Sequence, residues 1–575
     1  MRDIRNCMQI WKPERALALC LALCLALCGA ALAEEPNPWI EGGAADAVPV
    51  EGGAADAVPV EGGFTDGFAD GTVQQDAAAE LNSYSGINMD ADLRVGYVAS
   101  SDSQQINPFL CNERDLVSLN QLVFESVVEL DDDFKPSPLL ADSWTVEDKT
   151  WTFKLRDGIV FHNGAPLTAS DVVLSYQMFL NAGNTNPYYG RVALIESMEA
   201  TDALTVTVKS KYKGYVTLYA MTFPVVQQST INESMARGTG PYWYTQFQYG
   251  AGLRLEANPL WWKNEPGLHS IAAINYADSG DALEALKTRQ IDLLCTQSSN
   301  ASFSRNLSEY TSMDYVTNTY EMLVPNLNDS SVMSDVRIRQ AVMYAIDRAA
   351  LASNAYLGMG IQCEVPVNPG SWLYESQSAV YYYSPERALQ LLQSCGWQDL
   401  TGDGILNQVD GVILKDLELR LITYNEPTNS IRENACYMIA DYLGRVGIKV
   451  TIEVRGQERV LRYIREGSYD IALVGVNLSE VPDLSQMFRS GGSINLNNYG
   501  NKEMQELLQK VPDATTEAEM KSIYSQMQMN IVDRLPVLGM LFRTGTVLST
   551  RSLAGLSGIR AENTLNGIEF LTDEN

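Results

Sequence analysis

The chain has 575 residues, with 71 acidic side chains against 41 basic ones and a formal net charge of −30. This excess of negative charge repels the phosphate backbone of nucleic acids and anionic lipid surfaces, so neither is expected as a partner. Only two histidines occur, His162 and His269, which leaves little material for a Ser-His-Asp hydrolase or a histidine-rich metal site.

Residues 1–33 have the pattern of an export signal. Basic residues precede a short apolar run, Ala16–Cys28, and the small residues of Ala31-Leu32-Ala33 suit a signal peptidase. The run is shorter than the roughly 20 residues that a membrane-spanning helix needs. Cleavage after Ala33 is therefore expected. A lipid anchor on a cysteine of the run is the alternative, although leucine rather than a small residue precedes each of its cysteines.

Residues 34–91 are predicted to form a disordered linker. The unit Glu41–Val50 repeats unchanged as Glu51–Val60, and the segment contains no lysine or arginine. Few large apolar side chains offset the entropy of ordering, and the like charges extend the chain. The linker is either a spacer that holds a folded head away from the envelope or a neutral low-complexity insertion.

Residues 140–173 form the best punctuated segment. Alternating apolar and polar residues over Trp151–Leu155 predict a half-buried strand. Two glycine-containing turns bracket a second short strand at 159–161. Thr168 stands three residues before Asp171 and predicts a capped helix start.

Strand-length and helix-length patterns alternate further along the chain, which favours α/β units over a mostly parallel sheet. The other predicted strands cover 92–98, 204–208, 271–276, 291–295, 417–422, 450–454, 471–476, 537–542 and 545–548. The predicted helices cover 172–181, 282–289, 335–347, 385–395, 431–446, 459–466, 502–509 and 518–531. Five cysteines lie outside the signal, so at most two disulfides can form within the chain.

Several segments together resemble the landmarks of family 5 extracytoplasmic solute-binding proteins, the peptide, oligopeptide and nickel receptors of ABC importers. They are residues 140–173, Gly238-Thr-Gly-Pro-Tyr242 with Asn258-Pro-Leu-Trp-Trp262, Asp335–Arg348, and the weaker Ser384–Leu392 and Gly467–Leu473. The match runs over nearly all of residues 92–550. The resemblance implies an α/β fold, a two-lobed clamp of the type II periplasmic-binding-protein kind that closes on a ligand by hinge motion.

The resemblance also implies a division of the chain. After the signal and linker we expect a first lobe with an inserted subdomain over 92–315, a second lobe over 316–540, and a return to the first lobe over 541–575. Most landmark residues are expected to be structural, including His162 in its Phe-His-Asn-Gly turn.

Ligand is expected between the lobes, where strand ends and loops meet. Asp102 resembles the acid that some peptide-binding relatives place beside the ligand backbone, and a solvated loop acid is the alternative. After a buried strand, such relatives pair an aspartate with the ammonium end of the peptide. Glu480 is nearest to that position, and Asn477 lies in the same loop. Relatives often carry Gly-Trp at the end of this strand, so Gly475-Val476 departs from the peptide-binding pattern.

Aromatic and basic residues supply the other ligand candidates. Trp372 and Tyr374 lie in an aromatic turn, where they either stack on a bound side chain or pack internally. Phe542 and Arg543 end a strand that links the lobes. Arg543 either offers a ligand carboxylate a bidentate donor or forms a surface ion pair.

A calcium loop is the one cofactor hypothesis. The segment 399–410 spaces oxygen ligands at positions 1, 3, 5, 9 and 12 and has glycine at position 6. The ligands would be Asp399, Thr401, Asp403, Asn407 and Asp410. Against calcium, the last ligand is not the longer glutamate and a strand rather than a helix follows. A loop that needs no metal is the alternative.

The sequence therefore predicts an exported receptor, at the cell surface or in the periplasm, that catalyses nothing. It is expected to be monomeric, to capture a short peptide or similar polar solute, and to deliver it to ABC transporter permease subunits. One alternative is a ligand-sensing receptor of the same fold that feeds a signalling system. The other is a secreted carboxylate-based hydrolase, which would need two acids at a defined separation in a cleft.

Overall fold

The computed structural model describes residues 87–100, 104–427 and 429–571. The predicted signal, most of the predicted linker and Asp102 lie outside the described residues. Among the described residues, no helix is both long enough and apolar enough to cross a bilayer.

The described elements alternate between strands and helices, as predicted. The strands are β1 (Leu93–Val98), β2 (Val128–Leu130), β3 (Pro136–Pro138), β4 (Ala141–Glu147), β5 (Thr150–Leu155), β6 (Ile195–Asp202), β7 (Thr205–Ser210), β8 (Tyr242–Gln248), β9 (Gly252–Ala257), β10 (Ser270–Tyr276), β11 (Leu293–Thr296), β12 (Thr311–Pro325), β13 (Gly360–Gln362), β14 (Asn407–Asp410), β15 (Ile413–Asp416), β16 (Glu418–Tyr424), β17 (Lys449–Arg455), β18 (Ile471–Asn477) and β19 (Leu538–Ser549). The α-helices are α1 (Arg114–Asn120), α2 (Ala169–Ala182), α3 (Tyr189–Val192), α4 (Val216–Tyr219), α5 (Ser279–Lys287), α6 (Val336–Ala345), α7 (Arg348–Asn354), α8 (Pro385–Ser394), α9 (Ile431–Gly444), α10 (Gln457–Glu466), α11 (Ser485–Phe488), α12 (Lys502–Lys510) and α13 (Glu517–Arg534).

The main sheet of 11 strands is mixed, in the order β17-β16-β18-β12-β19-β11-β1-β10-β9-β8, with β13 paired to β19. Strand β1 is parallel to β10 and β11, and β16 is parallel to β17 and β18. The other pairs are antiparallel. The prediction of a mostly parallel sheet is wrong, because antiparallel strands join and flank the two parallel groups.

The long strands β12 and β19 connect the two lobes. They lie side by side and antiparallel in the middle of the sheet. Residues 87–310 with 550–571 are called the N-terminal lobe below, and residues 326–537 the C-terminal lobe. The boundaries predicted at 315 and 540 fall inside these strands and stay predictions. The two strands predicted over 537–548 are one, because Arg543 and Thr544 continue the ladder opposite Gly360 and Val316.

A second sheet, β4-β5-β7-β6, forms a separate layer within the N-terminal lobe and contacts helix α2. The predicted strand at 151–155 is confirmed as β5. The predicted strand at 159–161 is wrong, because closely spaced turns leave only a single bridge between Val160 and Pro166. The predicted capping box is confirmed, since Thr168 and Asp171 exchange side-chain and backbone hydrogen bonds at the start of α2.

Around Gly238 the landmark residues form a buried structural hub. His162 accepts a hydrogen bond from the Gly238 N–H through Nδ1 (3.1 Å), and its Nε2 lies 3.2 Å from the Gly240 carbonyl oxygen. Burial lowers the pKa of His162 to about 4, so the ring is neutral at pH 7 and Nε2–H is the donor. A side chain on Gly238 would collide with the Val123 carbonyl oxygen. His162 is therefore structural, as predicted.

Glu125 anchors the paired tryptophans of the same hub. Its carboxylate accepts hydrogen bonds from Trp261 Nε1 (3.2 Å), Trp262 Nε1 (2.9 Å) and Thr239 Oγ1 (2.7 Å). Burial raises the pKa of Glu125, and these donors partly offset the shift. The Asn-Pro-Leu-Trp-Trp motif is thus tied to the Gly-Thr-Gly-Pro-Tyr motif through one buried acid.

The five cysteines outside the predicted signal are all unbridged, and only Cys395 is not fully buried. Where the sequence leaves room for two disulfides, the structure forms none among the described residues. Packing and hydrogen bonding therefore hold the described fold together without covalent links between its elements.

Candidate ligand site between the lobes

The loop after β18 reaches from the C-terminal lobe to the N-terminal lobe. Residues 471–476 of β18 are fully buried, as expected for an apolar strand between covered faces. At its end, Asn477 Oδ1 accepts a hydrogen bond from Thr319 Oγ1 (2.9 Å). The next N–H, of Leu478, donates to the Asn318 carbonyl oxygen (2.9 Å). Both bonds fix the start of the loop, which carries Glu480 to the lobe boundary.

Glu480 meets three charged side chains of the N-terminal lobe. Its Oε2 lies 3.4 Å from Arg191 Nη2 and 3.8 Å from Arg560 Nε. Arg191 also forms a shorter ion pair with Glu562. The side chains of Glu480 and Arg191 are only 3% and 7% exposed. Residues from three distant parts of the sequence therefore form one buried charged cluster across the boundary.

Glu480 is poorly compensated within this cluster. Burial, and next the like charge of Glu562, raise its pKa to about 7, and Arg560 and Arg191 offset only part of the shift. The distances explain why, since Arg191 lies closer to Glu562 than to Glu480. The Glu480 carboxyl is therefore protonated more readily than that of an ordinary glutamate.

One cavity of about 90 Å³ with a largely polar lining borders Glu480. Its lining includes the charged residues Glu125, Glu129, Arg191, Lys263, Glu480, Arg560 and Glu569. Two buried acceptors, Glu480 Oε1 and Asn563 Oδ1, have no hydrogen-bond partner among the residues that the structure describes. Both residues line this cavity. Because unpaired buried acceptors are costly, the cavity is complementary to a group that donates hydrogen bonds.

A second cavity of about 80 Å³ also borders Glu480 and has a more apolar lining. Phe134 and Tyr219 of the N-terminal lobe face Leu478 and Tyr524 of the C-terminal lobe across it, with Phe542 of β19. Glu480 lines both cavities. Each is far below the roughly 300–1,000 Å³ of typical ligand pockets, so neither cavity by itself has room for a peptide.

Trp372 packs between the lobes, and neither Trp372 nor Tyr374 lines either cavity. The indole Nε1 of Trp372 donates to the hydroxyl of Tyr219 (3.0 Å), and its ring meets Tyr215 edge-on at 5.8 Å. The carbonyl oxygen of Tyr374 accepts a hydrogen bond from Lys521 Nζ (2.7 Å). These contacts match the packing alternative for Trp372. Ligand stacking by either ring stays a prediction.

Phe542 and Arg543 point to opposite sides of β19. Phe542 lines the apolar cavity, while Arg543 donates to Glu321 (2.7 Å) and Glu426 (2.7 Å). Arg432 also donates to Glu321 (2.8 Å). Burial alone would raise the pKa of Glu321, but the two arginines outweigh it and hold the pKa at about 2. Arg543 therefore serves an internal ion cluster, and its predicted contact with a ligand carboxylate stays untested.

The predicted calcium loop is shaped by protein hydrogen bonds. Asp399 accepts from the Gly402 N–H (2.6 Å) and the Gly404 N–H (3.0 Å). Asn407 is fully buried and donates to Asp416 (2.7 Å), and Asp410 lies exposed in β14. Among the described residues, no group of three or more His, Cys, Asp or Glu could hold a metal ion. This arrangement does not fit a calcium cage, and calcium binding by Asp399, Thr401, Asp403, Asn407 and Asp410 stays a prediction.

Glu480 and Phe542 line the cavities between the lobes. Asn477 fixes the start of the loop that carries Glu480, and Trp372 contacts Tyr219, which lines the apolar cavity. Arg543, Tyr374 and the 399–410 loop line neither cavity. Arg191, Arg560, Glu562 and Asn563 were missed by sequence reasoning. No local pattern could have found them, because their importance lies in contacts between segments far apart in the chain.

This arrangement, a charged cluster and two cavities enclosed between two lobes joined by paired long strands, defines a solute-receiving clamp. Residues 135–497 match the profile of the bacterial extracellular solute-binding proteins, family 5. Since the match covers more than half of the 575-residue chain, the protein belongs to this family.

Relatives and solved structures agree with this placement. The oligopeptide-binding protein AppA of Bacillus subtilis is 22% identical over 488 residues, with 81% of this chain and 88% of AppA covered. The nickel ABC transporter structure from Bacillus halodurans has a TM-score of 0.71 at 18% identity, covering 84% and 99% of the two chains. Bacillus subtilis AppA in complex with a nonapeptide has a TM-score of 0.57 at 21% identity, covering 83% and 97%. At such identities the structures establish the two-lobed fold alone.

Proposed function

We propose that the protein is the extracytoplasmic receptor of an ABC importer, that it captures a short peptide or a similar polar solute between its lobes, and that it releases the solute chemically unchanged. The observation that carries this proposal is the position of Glu480, which belongs to one lobe and is buried against the other between two cavities. Parting of the lobes would join the cavities into one site, and closure would bury the solute.

The lining of the joined site favours a ligand with a polar, donating end and an apolar end. Glu480 Oε1 and Asn563 Oδ1 would accept hydrogen bonds from the donating end. Phe134, Leu478 and Phe542 would pack on the other end. A short peptide has both features. Two relatives, named as oligopeptide-binding and dipeptide-binding proteins, also support a peptide ligand.

The pattern of residues 1–33 supports export with cleavage after Ala33. We infer a monomer that meets the permease subunits in the membrane with its lobes closed.

A thermal-shift screen of the mature chain tests the proposal, using di- to pentapeptides, oligosaccharides and nickel–histidine. A true ligand raises Tm by mass action, and peptides are expected to do so. Glu480→Gln should weaken binding of the best peptide, whereas Glu147→Gln, at an exposed position, should not. Mass spectrometry of the recovered peptide should show it intact. No shift with any peptide, or a cleaved peptide, contradicts the proposal.

A further inference from the structure

We propose that Gly214 forms a main-chain clasp between the lobes, and that its lack of a side chain is what lets the receptor close. Gly214 follows β7 in the N-terminal lobe and is buried. Its N–H donates to the Pro512 carbonyl oxygen (2.8 Å), and the next N–H, of Tyr215, donates to the Ala514 carbonyl oxygen (2.6 Å). Both acceptors belong to the C-terminal lobe.

The backbones approach too closely for any side chain at position 214. A methyl group there would place its carbon 2.5 Å from the Pro512 oxygen and 2.8 Å from the Ala514 oxygen. Both are main-chain atoms, which cannot rotate away as a flexible side chain would. Gly214 does not have the positive φ that favours glycine, so alanine would be unstrained at this position if the lobes were apart.

Each half of the clasp is held rigidly by its own lobe. On one side, Thr217 N–H donates to the Gly214 carbonyl oxygen (3.1 Å), and Thr217 Oγ1 lies 2.9 Å from Ser210 Oγ. On the other, the turn at 511–514 stands between α12 and α13, and a capping box of Thr516 and Glu519 fixes the start of α13. The acceptors are thus presented in a fixed geometry before the lobes meet.

Side chains around the clasp add contacts between the same two segments. Tyr215 OH donates to Glu517 (3.2 Å), which also pairs with Lys135 (2.7 Å). The Tyr215 ring meets Trp372 edge-on. These contacts are partly exposed and adaptable, whereas the pair of main-chain bonds has one geometry. Gly214 is therefore a positioning residue for closure, and it lines neither cavity.

Hydrogen–deuterium exchange of the mature chain tests the clasp without any ligand. In Gly214→Ala, the amides of residues 214 and 215 should exchange about tenfold faster or more than in the wild type, as expected when their two hydrogen bonds across the lobes are lost. Amides of β1 and β18 should stay protected, which shows that each lobe is folded. Gly190→Ala is the matched control, because a methyl group at Gly190 meets nothing within 4 Å. Unchanged exchange at residues 214 and 215 of Gly214→Ala would overturn the clasp.

A second measurement covers the case in which Gly214→Ala does not fold. Lys213→Cys with Asp513→Cys places two thiols across the clasp, at positions whose side chains are 40% and 63% exposed. A short bifunctional thiol reagent should link them when Gly214 is present. Failure to link them in the folded double variant also overturns the clasp.

Only the predicted effect of the clasp on solute affinity rests on the proposed receptor function. Once a solute is identified, Gly214→Ala should weaken its binding about tenfold, while Gly190→Ala should not. Faster exchange without any detectable ligand would leave the clasp standing and count against the receptor proposal alone.

Discussion

Glu480 and Arg191 lie 3.4 Å apart across the lobe boundary, yet the closer partner of Arg191 is Glu562. Two acids therefore compete for one buried arginine, and Arg560, 3.8 Å from Glu480, compensates only in part. Removing charges from water is costly unless each is well paired. The cluster is therefore sensitive to pH and to the loss of any member.

The pKa of Glu480 predicts a stability that falls as pH rises. Its pKa is about 7 in the folded protein against an ordinary value of 4.5, so between these values the folded state binds more protons than the unfolded state. Stability is then lost as pH rises through this window, by about 1.4 kcal/mol per unit of pKa shift. In Glu480→Gln this loss should disappear.

Thermal unfolding measured from pH 4.5 to pH 8 checks the Glu480 prediction. The wild type and the exposed control Glu147→Gln should show the same slope of Tm against pH, and Glu480→Gln a flatter one. Parallel slopes for all three chains would mean that Glu480 does not titrate in this range.

Glu321 should behave in the opposite way. It is fully buried between Arg432 and Arg543, which hold its pKa at about 2 against an ordinary 4.5. The stabilising effect of the Glu321 carboxylate is present above pH 4.5 and is lost as the pH falls from 4.5 to about 2. Glu321→Gln should destabilise the protein by about 3–5 kcal/mol at pH 7, because two buried guanidinium groups are left with Glu426 as their shared carboxylate partner.

Urea unfolding at pH 7 measures the Glu321 effect. Glu418→Gln, on strand β16 of the same sheet and with a side chain 45% exposed, is the control and should cost about 1 kcal/mol or less. A Glu321→Gln chain as stable as the control would refute the importance of the buried cluster.

Glu125 should hold the tryptophans of the landmark hub in place. In Glu125→Leu, the indole N–H groups of Trp261 and Trp262 lose their shared acceptor. Each buried unpaired donor costs about 1–3 kcal/mol, so a marked drop in Tm is expected. Tryptophan fluorescence should shift to the red as the indoles become wetter. A stable variant with an unchanged spectrum would show that the hub tolerates the loss.

Calcium should have little effect on stability. The carboxylate of Asp399 already accepts two backbone N–H groups, and Asn407 is bonded to Asp416. Tm is therefore expected to be the same in excess calcium and in EDTA. If Tm instead rises in excess calcium and Asp403→Asn abolishes that rise, the calcium-loop hypothesis drawn from the ligand spacing would be supported.

The sequence alone located most elements, because local patterns carry the information. The capping box at Thr168, the apolar strand at 471–476 and the helix at 431–446 needed only periodicity and capping residues. The direction of one strand relative to its neighbours cannot be read from a local pattern, so the mixed sheet was not predicted. The segment 159–161 lies between two turns and is too short to form a strand ladder. The apolar pattern of its residues could not reveal this.

The candidate site was only half predictable. The order of the landmark motifs indicated a two-lobed clamp. It also located the loop that carries Glu480, because this loop directly follows a buried strand in the sequence. That Glu480 meets Arg191 and Arg560, that Arg543 turns away to Glu321, and that Gly214 touches Pro512 were decided by the tertiary structure. Charge pairing and close backbone approach depend on distances between remote segments, which folding alone sets.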